Sequence, residues 1–213
     1  MKKILLLLIT SLLFTYGFVY MKELNPKLIG KTIVIDVGHG GKDSGTVYKD
    51  VREKDLNLSI ALKLKNELIM NGVNVIMTRE GDYDLSLPNA NRRKKSDFDN
   101  RINLINGSGA DLYLSIHINY LGDERYYGAQ TFYIKGNEEL AFNIQKAFST
   151  NLKSPLEERL LSNEIYMYRK LKIPGVLIEC GFLSNANERN LLKEDKYQHK
   201  IVSSIVEGLI GYY

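Results

Sequence analysis

Thiols are almost absent from this chain. Its 213 residues include one cysteine, Cys180. No disulfide can form within the chain, and a thiolate zinc cluster is excluded. Cys180 lies in the apolar stretch VLIECGF. A lone thiol there reads as a small buried hydrophobe; a nucleophilic one would need a histidine and electropositive surroundings. Excess charge is also missing. The net charge is +4, but Lys2 and Lys3 precede an apolar leader, and without them 27 basic residues face 25 acidic ones. A nucleic-acid binder carries a clustered basic face, so no nucleic-acid partner is expected. The one basic cluster, Arg92, Arg93, Lys94 and Lys95, reads as a solvated helix face. There is no internal repeat and no low-complexity segment beyond the leader.

What is present begins with that leader. Lys2 and Lys3 are followed by an apolar run from Ile4 to Tyr20. A charged segment before an apolar one is the pattern of a secretory signal. No small-residue cleavage site follows, which favours a retained anchor over a released protein. The lysines stay inside, so the domain lies on the outer face of the membrane. We expect a signal peptide or N-terminal membrane anchor over residues 1–21, a linker over 22–30 and one folded domain over 31–213.

Beyond the leader, strand and helix patterns alternate. TIVIDV (32–37), VNVIMT (73–78), DLYLSIHI (111–118), GAQTFYI (128–134) and IPGVLIECGF (173–182) are short runs rich in apolar, β-branched residues and read as strands. Residues 52–71 carry Leu56, Ile60, Leu64 and Leu68 four apart, which is one face of a helix closed by Asn71-Gly72. Helices are also predicted over 89–106, 137–152, 185–193 and 197–210. Such alternation specifies an α/β fold with a largely parallel sheet covered on both faces.

The stretch VIDVGHGGKDSG (34–45) raises a choice between a phosphate loop and a metal loop. A Walker loop fails, because Gly41-Lys42 is followed by Asp43 and Asp36 stands where the first glycine belongs. The dinucleotide fingerprint fails at Asp43 as well. Histidine is more informative. Of the three histidines, His199 lies in a polar stretch, whereas His39 and His117 both end predicted strands. Ligands of open α/β sheets bind beyond the carboxyl ends of strands, so the two can meet at one metal. Each histidine alone is more often structural than a ligand, and only the pair at matching strand ends brings the metal reading level with the structural one. Glu53 opens the first predicted helix, where an acid also simply complements the helix dipole. Glu179 interrupts an otherwise apolar strand, and a buried carboxylate needs a partner, most naturally a cation. Two histidines and a carboxylate leave a fourth position for water, whose proton a second carboxylate can take. That is the chemistry of amide or ester hydrolysis. Asp36 and Asn119 are candidates to orient the imidazoles. Tyr120, Tyr126 and Tyr127 cluster after His117, as a glycan groove or, for most of them, as loop packing.

The blocks DVGHGG, REKDLNL, LSIHIN and IECGFLSN, in this order, resemble the zinc-dependent N-acetylmuramoyl-L-alanine amidases of the Amidase_3 family, over roughly residues 31–212. NRRKKSDFDNRINLIN, GAQTFYI and NERNLLKEDKYQHKI resemble its spore-cortex members more narrowly. The resemblance implies a twisted, mostly parallel six-stranded sheet with helices on both faces. It implies Zn2+ held by His39, Glu53 and His117, with Glu179 as catalytic acid/base. The substrate it implies is peptidoglycan, cut between N-acetylmuramic acid and the L-alanine of the stem peptide. In the spore cortex a partner deacetylase would then form muramic-δ-lactam, a product needed for germination. An activating protein partner is a further expectation. Arg101 matches an arginine common in the family, with a structural role and a role on a peptide carboxylate both open. Val37 stands where many members have proline, and neither it nor Cys180 touches the chemistry. The interval between His117 and Glu179 is expected to hold one strand and one helix, too little for a plug over the metal. Two rivals remain: a zinc peptidase or carboxypeptidase of the cell wall, and a partner-dependent wall-binding module.

Overall fold

The computed structural model describes residues 25–162 and 165–213. The leader over residues 1–21 lies outside the described residues. In chain order the elements are β1 (Thr32–Val37), β2 (Val47–Tyr48), β3 (Val51–Arg52), α1 (Glu53–Met70), β4 (Asn74–Met77), α2 (Arg93–Gly107), β5 (Leu112–Asn119), β6 (Gln130–Tyr133), α3 (Glu138–Asn151), β7 (Arg159–Leu160), a 3-10 turn (Tyr168–Lys170), β8 (Gly175–Phe182), α4 (Ala186–Leu191) and α5 (Asp195–Tyr212). No helix among the described residues is long and apolar enough to cross a membrane.

Six strands form one sheet in the order β4-β1-β5-β8-β6-β7. All pairings are parallel except β6 with β8. The pleat sends alternate side chains to opposite faces. Ile33, Ile35 and Val37 of β1, Leu112, Leu114 and Ile116 of β5, and Val176, Ile178 and Cys180 of β8 share one buried cluster with α1, α3 and α5. Val34, Tyr113 and Leu177, from the intervening positions, pack on the other face with Ile102 and Ile105 of α2 and with Met167, Tyr168 and Leu171. Leu28 is fully buried in the first cluster, and Lys27 Nζ donates to the Ile210 carbonyl, so side chains before β1 already join the packing.

The sheet and its covering helices follow the sequence pattern. Three details differ. The helix predicted from residue 89 starts at Arg93, because residues 85–92 run as a loop tied to α2 by side chains: Leu85 N donates to Asp97 and Ser96 Oγ accepts from Leu87 N. A two-stranded hairpin, β2 with β3, lies between β1 and α1. The interval between His117 and Glu179 holds β7 and the 3-10 turn in addition to one strand and one helix. These extra strands are two residues long and carry no periodicity to detect.

Candidate metal centre

The period of two decides where the chemistry-bearing side chains go. Asp36, Ser115, His117 and Glu179 occupy the register positions that face α2, opposite the large aliphatic core. His117 and Glu179 are direct partners across β5 and β8. His39 follows two residues after β1, and β1 is the neighbour of β5, so both histidines emerge at one carboxyl edge. Their rings stand edge to face with centroids 5.0 Å apart. Gly38 makes this approach possible, since a Cβ there would run into the His117 ring. Glu53, the first residue of α1, reaches over the same edge.

Three ligand atoms converge. Glu53 Oε1 lies 3.2 Å from His39 Nε2 and 2.9 Å from His117 Nδ1. His39, Glu53 and His117 are the group of chelating side chains among the described residues, with their atoms within 4.8 Å of one another. The remaining atoms are held from outside. Glu53 Oε2 accepts from Thr46 N at 2.9 Å. Asn57, one turn along α1, donates to the Gly38 carbonyl and to Glu53 Oε1. His39 Nδ1 donates to Asp43 Oδ2 at 2.9 Å, and Gly45 N donates to the same carboxylate. The electrostatics favour a cation at this point. Burial alone would lower the His39 pKa, but the hydrogen bonds and charges of Asp43 and Glu53 raise it to about 9. Burial alone would raise Glu53, yet its hydrogen bonds to both histidines and their charge hold it well below the usual carboxylate range. Two imidazole nitrogens and one carboxylate oxygen are a donor set suited to zinc, so the residues present fit that ion.

Glu179 is the second carboxylate. Burial, and then the Glu53 charge, push its carboxyl up to about 8. Its Oε2 is buried without a hydrogen-bond partner. Glu179 lines a small, mainly apolar cavity with Phe98, Ile165, Met167 and Leu177, and also an open cleft with His39, Glu53 and His117. A buried carboxyl with an unpartnered oxygen beside a chelating triad is placed to take and return protons once a cation in that triad favours its ionised form.

The two residues expected to orient the imidazoles do something else. Asp36 is fully enclosed, accepts from Arg101 Nη1 and Ser115 Oγ, both at 2.7 Å, and makes no hydrogen bond to either ring among the described residues. Asn119 Oδ1 accepts from Tyr120 N. The residue that grips a ring is Asp43, four positions after His39. It sits in an aperiodic loop, and only its spacing from His39 could have marked it. Arg101 is 2% exposed, binds Asp36, Asp97 and the carbonyls of Val37 and His39, and lines the small cavity beside Glu179. Tyr120, Tyr126 and Tyr127 are half-exposed; Tyr120 leans on the Tyr48 ring and borders the cleft, and Tyr126 stacks on Phe182.

A family model described as Amidase_3, N-acetylmuramoyl-L-alanine amidase, matches residues 33–211. The chain is 40% identical over 215 residues to the germination-specific N-acetylmuramoyl-L-alanine amidase of Bacillus subtilis (strain 168), covering 97% of this chain and 91% of the relative. The solved CwlD amidase of Clostridioides difficile, in complex with the GerS lipoprotein, is 39% identical and superposes with a TM-score of 0.82, over 86% of this chain and 98% of that one. The catalytic domain of the amidase CwlV from Bacillus (Paenibacillus) polymyxa var. colistinus is 30% identical with a TM-score of 0.73, over 84% and 95% of the two chains. From β1 to α5, in sequence and in fold, this protein belongs to the Amidase_3 family of N-acetylmuramoyl-L-alanine amidases.

Proposed function

We propose that this amidase acts on peptidoglycan of the spore cortex, removing stem peptides from N-acetylmuramic acid with one zinc ion held by His39, Glu53 and His117. Zinc, when bound, supplies Lewis acidity toward the scissile carbonyl and the attacking water. The chain supplies the rest. Glu179 accepts the proton of the attacking water at its carboxylate and delivers it to the alanine nitrogen as the amide C–N bond breaks. Asp43 fixes the His39 ring through Nδ1, leaving Nε2 for the ion. Thr46 N and the Asn57 amide hold Glu53 in its orientation.

The observation that carries this reading is the meeting of His39 Nε2 and His117 Nδ1 on Glu53 Oε1 next to the buried, unpartnered Glu179 Oε2. The test is metal analysis of the purified protein together with digestion of peptidoglycan. Zinc and free stem peptides with N-terminal alanine are expected, and Glu179→Gln should keep the first and lose the second.

The role in germination is supported by the Bacillus subtilis relative, which is named for it. In this role stem-peptide removal precedes the action of a deacetylase, and muramic-δ-lactam is the product. A strain lacking the protein should then make spores whose cortex has no lactam. A lipoprotein partner is part of the proposal, supported by the complex in which the Clostridioides difficile amidase was solved. Residues 1–21 serve as export signal or anchor and residues 31–213 as the catalytic domain; fractionation of cells would place the domain outside the cytoplasmic membrane.

A further inference from the structure

The basic run at the start of α2 is solvated, as the sequence suggests, but its members differ in what they bind. Arg93 is engaged, with Nε and Nη2 on Asp84 at 2.8–2.9 Å. Lys95 is engaged with Asp99 at 2.6 Å, one turn along the helix. Lys94 is held only loosely. Its side chain is 65% exposed, it faces Asp43 Oδ2 at 3.8 Å in an ion pair without a hydrogen bond, and its ammonium lies 5.8 Å from the centre of the Phe98 ring. An ammonium carries three donors, so Lys94 holds spare binding capacity. Its position gives that capacity a use. Lys94 lines the cleft that contains His39, Glu53, His117 and Glu179, and among the described residues lining that cleft it is the one lysine or arginine. It also lines the next depression along the surface, of about 240 Å³, with Lys42 and Arg93. Lys42 is exposed and has no ion pair among the described residues.

The substrate has a matching group. In a stem peptide the residue after L-alanine is glutamate joined through its side-chain carboxyl, which leaves its α-carboxylate free one residue from the scissile amide. Inside the cleft the charged groups other than Lys94 are Asp43, Glu53 and Glu179 with the two histidines, so an incoming carboxylate meets one cation outside the chelating triad. We infer that Lys94 binds the α-carboxylate of the second stem-peptide residue and so selects stem peptides in which that carboxyl is free. The inference rests on the amidase reading above and adds the direction of the peptide: from the metal centre over the start of α2 toward Lys42.

The test uses the full chain and two synthetic muramoyl-tetrapeptides that differ at one group, the α-carboxyl of the second residue being free or a carboxamide. The wild type should prefer the free acid by about tenfold in kcat/KM, mostly through KM, and salt should erode the preference because an exposed ion pair is screened. Lys94→Met should bring the ratio of the two substrates close to one, and Lys94→Arg should restore it. Calorimetric binding of the released free-acid tetrapeptide should weaken about fivefold in Lys94→Met. A fall that is equal for both substrates would overturn the inference, since Lys94 would then act through Asp43 on the His39 ring. An unchanged ratio would overturn it too. If the wild type released stem peptides from neither these substrates nor whole peptidoglycan, the amidase reading would fall and the inference with it; release from peptidoglycan with equal binding of the two tetrapeptides would overturn the inference alone.

Discussion

His39 is held in a backbone conformation that few side chains adopt. Its φ is 59°, in the left-handed region, where a non-glycine residue persists only when its surroundings hold it. Here they do so from both ends. Arg101 Nη2 donates to the His39 carbonyl at 2.7 Å, and Asp43 takes the ring at Nδ1. The sequence placed His39 correctly at the end of a strand but could not show this clamp, because Asp43 and Arg101 reach it through a loop and through a helix from elsewhere in the chain. Asp43→Ala should leave the fold intact and weaken zinc binding by about 10–100-fold, measured by chelator competition. Asp36 belongs to the other end of the clamp. Burial would raise its carboxyl, but Arg101, Ser115 and the charge of His117 hold it below the ordinary 3.8. A depressed carboxyl contributes stability that is complete above its unfolded value and disappears as pH falls through the folded one. Asp36→Asn leaves a buried guanidinium short of one partner and should cost about 3 kcal/mol near neutrality. In urea titrations the gap between wild type and variant should be constant around neutral pH and close on acidification below about pH 4.

At the scale of elements, strands β1, β5 and β8 and helix α1 were legible because their apolar spacing is unambiguous. The short pieces were not. Two-residue strands β2, β3 and β7 present no period, and they exist because neighbours pair with them. The basic run shows a subtler limit. Charge content alone reads as a solvated face; the structure keeps the face solvated and divides it further into Arg93 and Lys95, bound to Asp84 and Asp99, exposed Arg92, and Lys94 bordering the cleft. Helix packing adds a prediction. Gly208 of α5 lies against Ile144 of α3, and a Cβ at Gly208 would come within 2.5 Å of the Ile144 Cα. Backbone cannot yield as a flexible side chain does. Gly208→Ala should therefore push two helices apart and destabilise the protein by about 1–3 kcal/mol in equilibrium unfolding, with zinc stoichiometry unchanged.

For the molecule as a whole, the alternation of elements was enough to specify an α/β sheet, and the resemblance to Amidase_3 supplied its six strands. The strand order β4-β1-β5-β8-β6-β7 is what turns separate motifs into a site. It places β1 beside β5 and β5 beside β8, so three sequence blocks some 80 and 60 residues apart end at one edge. Spacing along the chain does not encode that order, and it explains why the sequence named the four residues His39, Glu53, His117 and Glu179 yet assigned the orienting role to Asp36 and Asn119. The central claim is that three of those residues hold zinc and the fourth moves the proton. The most direct test measures zinc per chain and the release of stem peptides with N-terminal alanine, in wild type and Glu179→Ala, on purified peptidoglycan. One zinc per chain in both proteins, with release in the wild type alone, is the predicted result. Release by Glu179→Ala at the wild-type rate, or stem-peptide release from a wild type carrying no metal, would contradict it.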